Sequence, residues 1–476
     1  MSSDISRLKE ILGEKGLLDD PADMAAYCTD LLGETASPVL AVARPDNTDN
    51  VAEVVKWCRA AGIMIVPQGG LTGLVNGAIP NQADPVIILS LGRMNQIHPV
   101  DTLNNSVVVE AGAILANVKA AAEAADRYFP LTHGGEGSSQ IGGNLSTNSG
   151  GNNALRYGTA RDQVLGLEVV LPDGTIWSGL RGLRKNTAGY DLKHLFIGAE
   201  GTLGIITQAC LKVLPLPRTR ETAFLAVDSP TAALAMLRRM ESEAGELVCA
   251  YELLSAAALS RAMTIEGTRY PFDQEYDWLV LVELESASQW FDLQGALEKA
   301  VEFGLEEGLI VDAVAAMSIQ QRIDFWRLRE AIAEALIDEP DSLKSDTAVP
   351  VASVPNFLET AEAAVQEAVP GAVCVPFGHL GDGNVHFNVR RPDDMAPEQF
   401  RKCWDQLAHA IEMASLKFAG TISAEHGIGR LKQRDFDAVT SAEELALIAR
   451  LKLAMDPHQT MNAGVLINDD DVVGPT

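Results

Sequence analysis

The chain has 476 residues, 47% of them apolar, and 37 Lys plus Arg against 65 Asp plus Glu, for a formal net charge of −28. That length and apolar content suit two or three domains with a large core and exclude a disordered chain. So acidic a surface repels phosphates and argues against nucleic acid as a partner, and an acidic ligand would need cations placed locally.

The first segment, MSSDISRLKEILGEKGLLDD, is charged throughout and has no apolar centre, so a secretory signal is not expected. No apolar run approaches the roughly 18 residues of a membrane helix. No membrane span and a cytoplasmic location are therefore expected. Cys28, Cys58, Cys210, Cys249, Cys374 and Cys403 contain no Cys-x-x-Cys, which gives neither a disulfide framework nor a thiolate zinc site. Any metal must use His and carboxylate ligands.

Helical and strand patterns alternate, as in a mixed α/β chain. DNVAEVVKWCRAAG predicts an amphipathic helix, IMIVP a buried strand and QGGLTGLVNG a glycine-rich loop. VIILSL and SVVVEAG predict strands, and ILANVKAAAEAAD a helix. From 132 to 151, THGGEGSSQIGGNLSTNSGG is glycine-rich with Glu136 as its one charge. Such a loop lets backbone approach a ligand closely and offers many N–H donors. VLGLEVVLPDGTIWSG predicts a hairpin turning at Asp173-Gly174. GAEGTLGIITQACLKVLP is a third glycine-rich loop entering a strand, and Pro215 and Pro217 mark a domain boundary. Beyond it, strands and helices follow in the order β-α-β-β-α-β from 222 to 316, which predicts a ferredoxin-like antiparallel sheet with helices on one face. A long helix over 318–337 precedes PFGHLGDGNVHFNV, residues 376–389. Helices at 397–418 and 442–455 bracket TISAEHGIGRLK.

Neither G-x-G-x-x-G nor G-x-x-x-x-G-K-[ST] occurs, so the usual dinucleotide fingerprint and the P-loop are absent. Three glycine-rich loops within one 150-residue region could still cradle a large phosphate-bearing cofactor. His379 and His386 flank a Gly-Asp-Gly-Asn turn, strand alternation puts Asn388 on the face of His386, and Glu425 adjoins His426. Two His and a carboxylate with open positions match a catalytic zinc-type site. A substrate loop or a plain polar hairpin would also fit the turn.

PQGGLTGLVNG, GGEGSSQIGGNLSTNSGG, LRYGTARDQVLGLEVVLPDGT, KNTAGYDLKHLFIGAEGTLGIIT, PFGHLGDGNVHFNV and SAEHGIGRLK occur in that order. Together they resemble the FAD-dependent 2-hydroxyacid dehydrogenases of the vanillyl-alcohol oxidase superfamily, over about residues 38 to 466. The resemblance is nearest to the D-2-hydroxyglutarate branch, with mitochondrial-type D-lactate dehydrogenase and the glycolate oxidase flavoprotein subunit as relatives.

The resemblance implies an α+β fold. A two-lobed FAD-binding domain would occupy 1–217, a substrate and metal-binding domain with the ferredoxin-like sheet 218–425, and a segment completing the FAD site 426–476. It implies FAD contacts at Pro67, Gly69, Gly70, Thr72, Gly73 and Leu74. Further contacts fall at Gly135, Ser138, Gly142, Gly143, Asn144, Ser146, Thr147 and Gly150, and at Gly201, Gly204, Ile205, Ile206 and Asn462. Some relatives attach FAD through a histidine in the first loop. That loop has none here, so non-covalent FAD is expected, with His133 close to the second loop.

The implied metal ligands are His379, His386 and Glu425, and the donor set favours zinc over manganese or iron. His426 falls on the base position, and Arg329, Lys344 and Asn388 on substrate contacts. Arg can clamp a carboxylate through two parallel bonds, and Lys adds a point charge. Arg327, two residues from Arg329, should point elsewhere. Ala333 stands where the hydroxyglutarate enzymes carry a threonine, a missing hydrogen bond worth roughly 0.5–1.5 kcal/mol. The expected substrate is D-2-hydroxyglutarate, then D-malate or D-lactate. The expected acceptor is an electron-transfer flavoprotein or a quinone-linked carrier, with a homodimer as one assembly open to the chain. An oxygen-using oxidase and a flavin-binding subunit of a larger complex are the alternatives. His98, His194, His409 and His458 match no ligand position and read as structural or surface residues.

Overall fold

The computed structural model describes residues 5–31, 33–81, 85–337, 339 and 341–468. Its architecture is the expected α+β arrangement, carried by three main sheets. Among the described residues, no helix is long and apolar enough to cross a membrane.

The first sheet orders its strands Leu17–Leu18, Ala41–Ala43, Val86–Ser90, Met64–Gln68, the last three parallel. The crossover is the helix Thr48–Ala61. Asn47 caps its start, accepting from the Asn50 N–H, and Gly62 ends it in the left-handed conformation at φ 66°. Val51, Val54, Val55 and Cys58 repeat at helical spacing and are the buried stripe. The second sheet is antiparallel, in the order Ser106–Glu110, Ile205–Lys212, Val164–Val170, Ile176–Ser178. Its outer pair is the expected Asp173-Gly174 hairpin. Glycine does not keep the whole 132–151 segment irregular: the helix Ile141–Ser146 forms inside it.

The third sheet is built around the predicted β-α-β-β-α-β unit. Asp312–Ala315, Thr219–Val227, Trp278–Ser286 and Val248–Ser255 lie side by side, all antiparallel, which is the ferredoxin-like order. Two features depart from the sequence reading. The sheet continues past Val248–Ser255 into Val373–His379 and Asn384–Arg390. The helices also cover both faces instead of one. Alternation along the strands sorts Leu225, Leu253 and Val280 to one side, under Pro230–Ala244, Leu293–Glu306 and the unanticipated helix Val354–Ala368. It sorts Phe224, Leu254, Leu281, Val375 and Phe377 to the other, under Ala256–Ala262 and Ile319–Ile337. Near-continuous apolar strands such as LVLVEL can be buried on both faces, which accounts for the second helical layer. The helix expected at 397–418 is two, Pro397–Arg401 and Trp404–Leu416.

Candidate active site

The second helical layer decides where the site forms. Residues opposite each other in a sheet share a face, and the register pairs Glu252 with His379, Phe377 with His386 and Val375 with Asn388. Glu252, His379, His386 and Asn388 thus lie on the face that the helix Ile319–Ile337 covers, and that helix carries Arg329. Its guanidinium lies over the Phe377 ring, 5.2 Å from the centroid. The His379 and His386 ring centroids are 5.7 Å apart, and the His386 ring stacks on His426 at 6.0 Å. His386 Nε2 is 3.7 Å from Glu425 Oε1.

Two buried carboxylates that the sequence reading missed hold this group. Glu252, fully buried, takes His379 Nδ1 on one oxygen at 2.6 Å and Arg329 Nε on the other at 2.7 Å. Asp346 Oδ2 accepts the backbone N–H groups of Ala424, Glu425 and His426 at 3.0, 2.9 and 3.0 Å, while Oδ1 accepts from Asn384 Nδ2. Asp346 therefore fixes the loop that presents Glu425 and His426. Four donors already occupy it, so it is a poor candidate for a metal ligand although its oxygens lie near His386 and His426.

Burial raises the Glu252 carboxyl, but the adjoining His379 and Arg329 outweigh it and hold the group at about 2. Burial alone would lower His379, yet the Glu252 carboxylate lifts it to about 9. Burial lowers His386 to about 3, so that imidazole is neutral and ready to act as a ligand. Burial also lowers His133, whose Nδ1 accepts from the Gly135 N–H.

Arg327 turns to Glu334, away from Arg329, as expected. The Lys344 amino group donates to the carbonyls of Glu339 and Ser342, so the structure does not turn it toward the imidazoles. Asn388 accepts the Ser345 N–H at 2.9 Å. A cavity of about 390 Å³ lies to one side: Trp326 and Glu330 line it, with Lys119, Arg127, Tyr128 and Arg220, and none of the imidazoles does.

The three glycine-rich loops and the C-terminal segment converge. A Cβ on Gly70 would sit 2.1 Å from the Ser138 carbonyl oxygen, so only glycine lets the first loop meet the second. Glu200, in the third loop, accepts the N–H groups of Ile428 and Gly429 at 2.9 and 2.8 Å. Asn462 Nδ2 donates to the carbonyls of Gly77 and Glu200. Pro67 is the penultimate residue of the strand Met64–Gln68, and Gly69, Gly70, Thr72, Gly73 and Leu74 follow the strand. Gly135 and Ser138 lead into the helix that carries Gly142, Gly143, Asn144 and Ser146, with Thr147 as its cap and Gly150 beyond. Gly201 and Gly204 precede the strand beginning at Ile205 and Ile206.

These segments fit a flavin dinucleotide. Leu71, Asn76, Asn148, Glu200 and Asn462 hold the left-handed conformation although none is glycine, a strain that collects where a ligand is clamped. The buried Gln68 Oε1, Asn76 Oδ1 and Gln140 Oε1 find no donor among the described residues and could accept from ribityl hydroxyls or a flavin N–H. A Cβ at Gly73, Gly134, Gly137 or Gly143 would meet no atom within 4 Å, which leaves open space beside the backbone for a ligand.

Residues 39–179 match the family described as "FAD binding domain", and residues 216–466 match "FAD linked oxidases, C-terminal domain". A probable mitochondrial D-2-hydroxyglutarate dehydrogenase of Oryza sativa subsp. japonica is 36% identical, covering 97% of this chain and 81% of the relative. D-2-hydroxyglutarate dehydrogenase of Xanthomonas citri pv. viticola is 34% identical, covering 98% and 97%. The solved structure of p-cresol methylhydroxylase superposes with TM-score 0.76 at 15% identity, over 98% of this chain and 96% of that one, and shares the fold alone. The chain belongs to the FAD-linked oxidases, with a fold of the vanillyl-alcohol oxidase type. Within that family it is an FAD-dependent hydroxyacid dehydrogenase.

Proposed function

We propose that the protein oxidises D-2-hydroxyglutarate to its 2-oxo acid at a site built by His379, His386, Glu425, His426, Asn388 and Arg329. One observation carries this reading. The two imidazoles, the amide and the guanidinium share one sheet face, and the Glu425–His426 loop meets them there.

The donor set fits a divalent metal, with zinc favoured. Ligand bonds of about 2.0–2.2 Å at tetrahedral angles put donor atoms roughly 3.4 Å apart. His386 Nε2 and Glu425 Oε1, at 3.7 Å, are close to that separation and too far apart for a good hydrogen bond. Glu252 takes His379 Nδ1, which leaves Nε2 as the third donor in this reading, although among the described residues the site's ligand atoms within 4.8 Å of one another are those of Asp346, His386, Glu425 and His426, and His379 stands outside that group. A metal held there would supply Lewis acidity, lowering the pKa of a bound hydroxyl. Bound FAD supplies the hydride acceptor, N5 of the flavin.

The remaining work belongs to the chain. His426 takes the hydroxyl proton, because an imidazole ring nitrogen can accept a proton and later release it. Arg329 gives Nε to Glu252 and keeps both terminal nitrogens for a substrate carboxylate. Asn388 keeps its NH₂ for the substrate while its oxygen is held by Ser345. Lys344 reaches the substrate only by leaving two carbonyls. The names of the relatives favour D-2-hydroxyglutarate over D-malate and D-lactate. Electrons would leave to an electron-transfer flavoprotein or a quinone-linked acceptor.

The division at 217 and 425 belongs to the same reading. Separate apolar clusters support the first boundary, one running from Leu8 to Val213 and taking in Met461 from the C-terminal segment, and two beginning at Ala223 and Phe224.

The test is a screen of D- and L-2-hydroxy acids against a dye acceptor, repeated after chelation. Activity with the D-acid that disappears on chelation, while the yellow flavin stays bound, supports the reading. Full activity in metal-free protein removes the metal from it, and peroxide formed in step with turnover in air would favour an oxidase.

A further inference from the structure

We propose that Glu252 is a positioning residue that orients His379 toward the metal and Arg329 toward the substrate through the two oxygens of one carboxylate. The proposal rests on the reading of the site given above. Glu252 lies in an otherwise apolar strand, fully buried and directly opposite His379 in the neighbouring strand. An ionised carboxylate in such surroundings costs several kcal/mol unless it is paired. Its pairing is complete: each oxygen has one short bond, 2.6 Å to His379 Nδ1 and 2.7 Å to Arg329 Nε.

The chemistry of the partners makes the arrangement directional. An ionised carboxylate only accepts hydrogen bonds, so His379 must carry a proton on Nδ1, and Nε2 is the nitrogen left to exchange its proton for a metal. Arg329 is held by the inner edge of its guanidinium, with its plane set over Phe377. Its two terminal nitrogens are then pre-oriented for a carboxylate. Glu252 thereby ties the metal ligand and the substrate clamp to one anchor in the sheet.

Glutamine at this position has no charge and one acceptor oxygen where the carboxylate has two, so His379 and Arg329 can no longer each donate to an oxygen of their own. Aspartate keeps the charge but withdraws it by one methylene. The test uses the full-length flavoprotein as wild type, Glu252→Gln and Glu252→Asp. Flavin content and thermal midpoint report folding, and elemental analysis against a graded zinc chelator reports metal affinity. Steady-state kinetics with D-2-hydroxyglutarate and a dye separate KM from kcat.

The Gln variant is expected to keep its flavin, to bind zinc about 10- to 100-fold more weakly and to raise KM about tenfold. Added zinc should restore kcat but leave KM high, because the loosened Arg329 is not repaired by metal. The Asp variant should show smaller losses of both. Wild-type zinc affinity and KM in Glu252→Gln would overturn the proposal. So would loss of flavin from both variants, which would make the residue purely structural. A wild type that holds no zinc and oxidises no 2-hydroxy acid would instead overturn the reading of the site on which the proposal rests.

Discussion

Replacing Asp346 by Asn changes one atom and should disable the loop that presents Glu425 and His426. In the native protein a single oxygen, Oδ2, accepts three consecutive backbone N–H groups at 2.9–3.0 Å, and the other accepts Asn384 Nδ2 at 2.9 Å. The residue is 1% exposed, so water cannot replace lost partners. An amide has one acceptor. If its oxygen faces the three N–H groups, its NH₂ faces the donor of Asn384. If it is turned round, the NH₂ faces three donors. Hydrogen bonds to a charged group contribute about 1.5–3 kcal/mol each, and removing the charge weakens all four. Allowing for relaxation of the loop, the closed arrangement should lose about 2–5 kcal/mol. A displacement of the base by about 1 Å costs on the order of 100-fold in rate. Asp346→Asn should therefore lower kcat/KM for D-2-hydroxyglutarate about 100-fold while FAD stays bound, since the three glycine-rich loops are untouched. Dye-reduction kinetics, flavin absorbance and a thermal melt on the same preparation measure all three quantities. Wild-type kcat/KM in a folded, flavin-loaded variant would refute the reasoning.

His426→Ala should lower kcat about 10²- to 10⁴-fold with flavin retained, the contribution of a general base, and an unchanged rate removes His426 from that role. Ala333→Thr supplies a hydroxyl one turn from Arg329. It should lower KM for D-2-hydroxyglutarate by up to about tenfold and leave D-lactate kinetics unchanged, so an equal effect on both substrates would show that the hydroxyl does not read the distal carboxylate. Burial, reinforced by Asp435 and opposed by Lys432, pushes the Glu412 carboxyl up to about 7. Because the folded-state value lies above the unfolded one of about 4.3, the neutral form favours the fold, and that stability is lost as pH rises through 7. Glu412→Gln should match wild type in thermal midpoint near pH 4 and exceed it at pH 8, and parallel pH profiles would contradict this.

Much of this organisation was legible in the sequence because its signals are local. Glycine-rich loops, the Asp173-Gly174 turn and the β-α-β-β-α-β rhythm depend on neighbouring residues, and each appears where its residues predict it. The second helical layer and the extension of the sheet through Val373–His379 depend on pairings between distant strands, which no local pattern specifies. The same limit hid Glu252 and Asp346. Glu252 left a trace, a lone charge within the apolar strand LVCAYELL, and a buried charge implies partners. Its partners, however, lie 77 and 127 residues away. Asp346 sits in an unremarkable SDTAV segment, and only the fold brings it beneath residues 424–426.

The most direct test mixes the purified flavoprotein, without oxygen or dye, with D-2-hydroxyglutarate, its L-enantiomer, D-malate and D-lactate in turn. The site described here predicts rapid bleaching of the flavin by D-2-hydroxyglutarate, little by the L-enantiomer, and loss of bleaching in metal-depleted protein. A flavin that stays oxidised with every 2-hydroxy acid, or that bleaches equally well without metal, would contradict it.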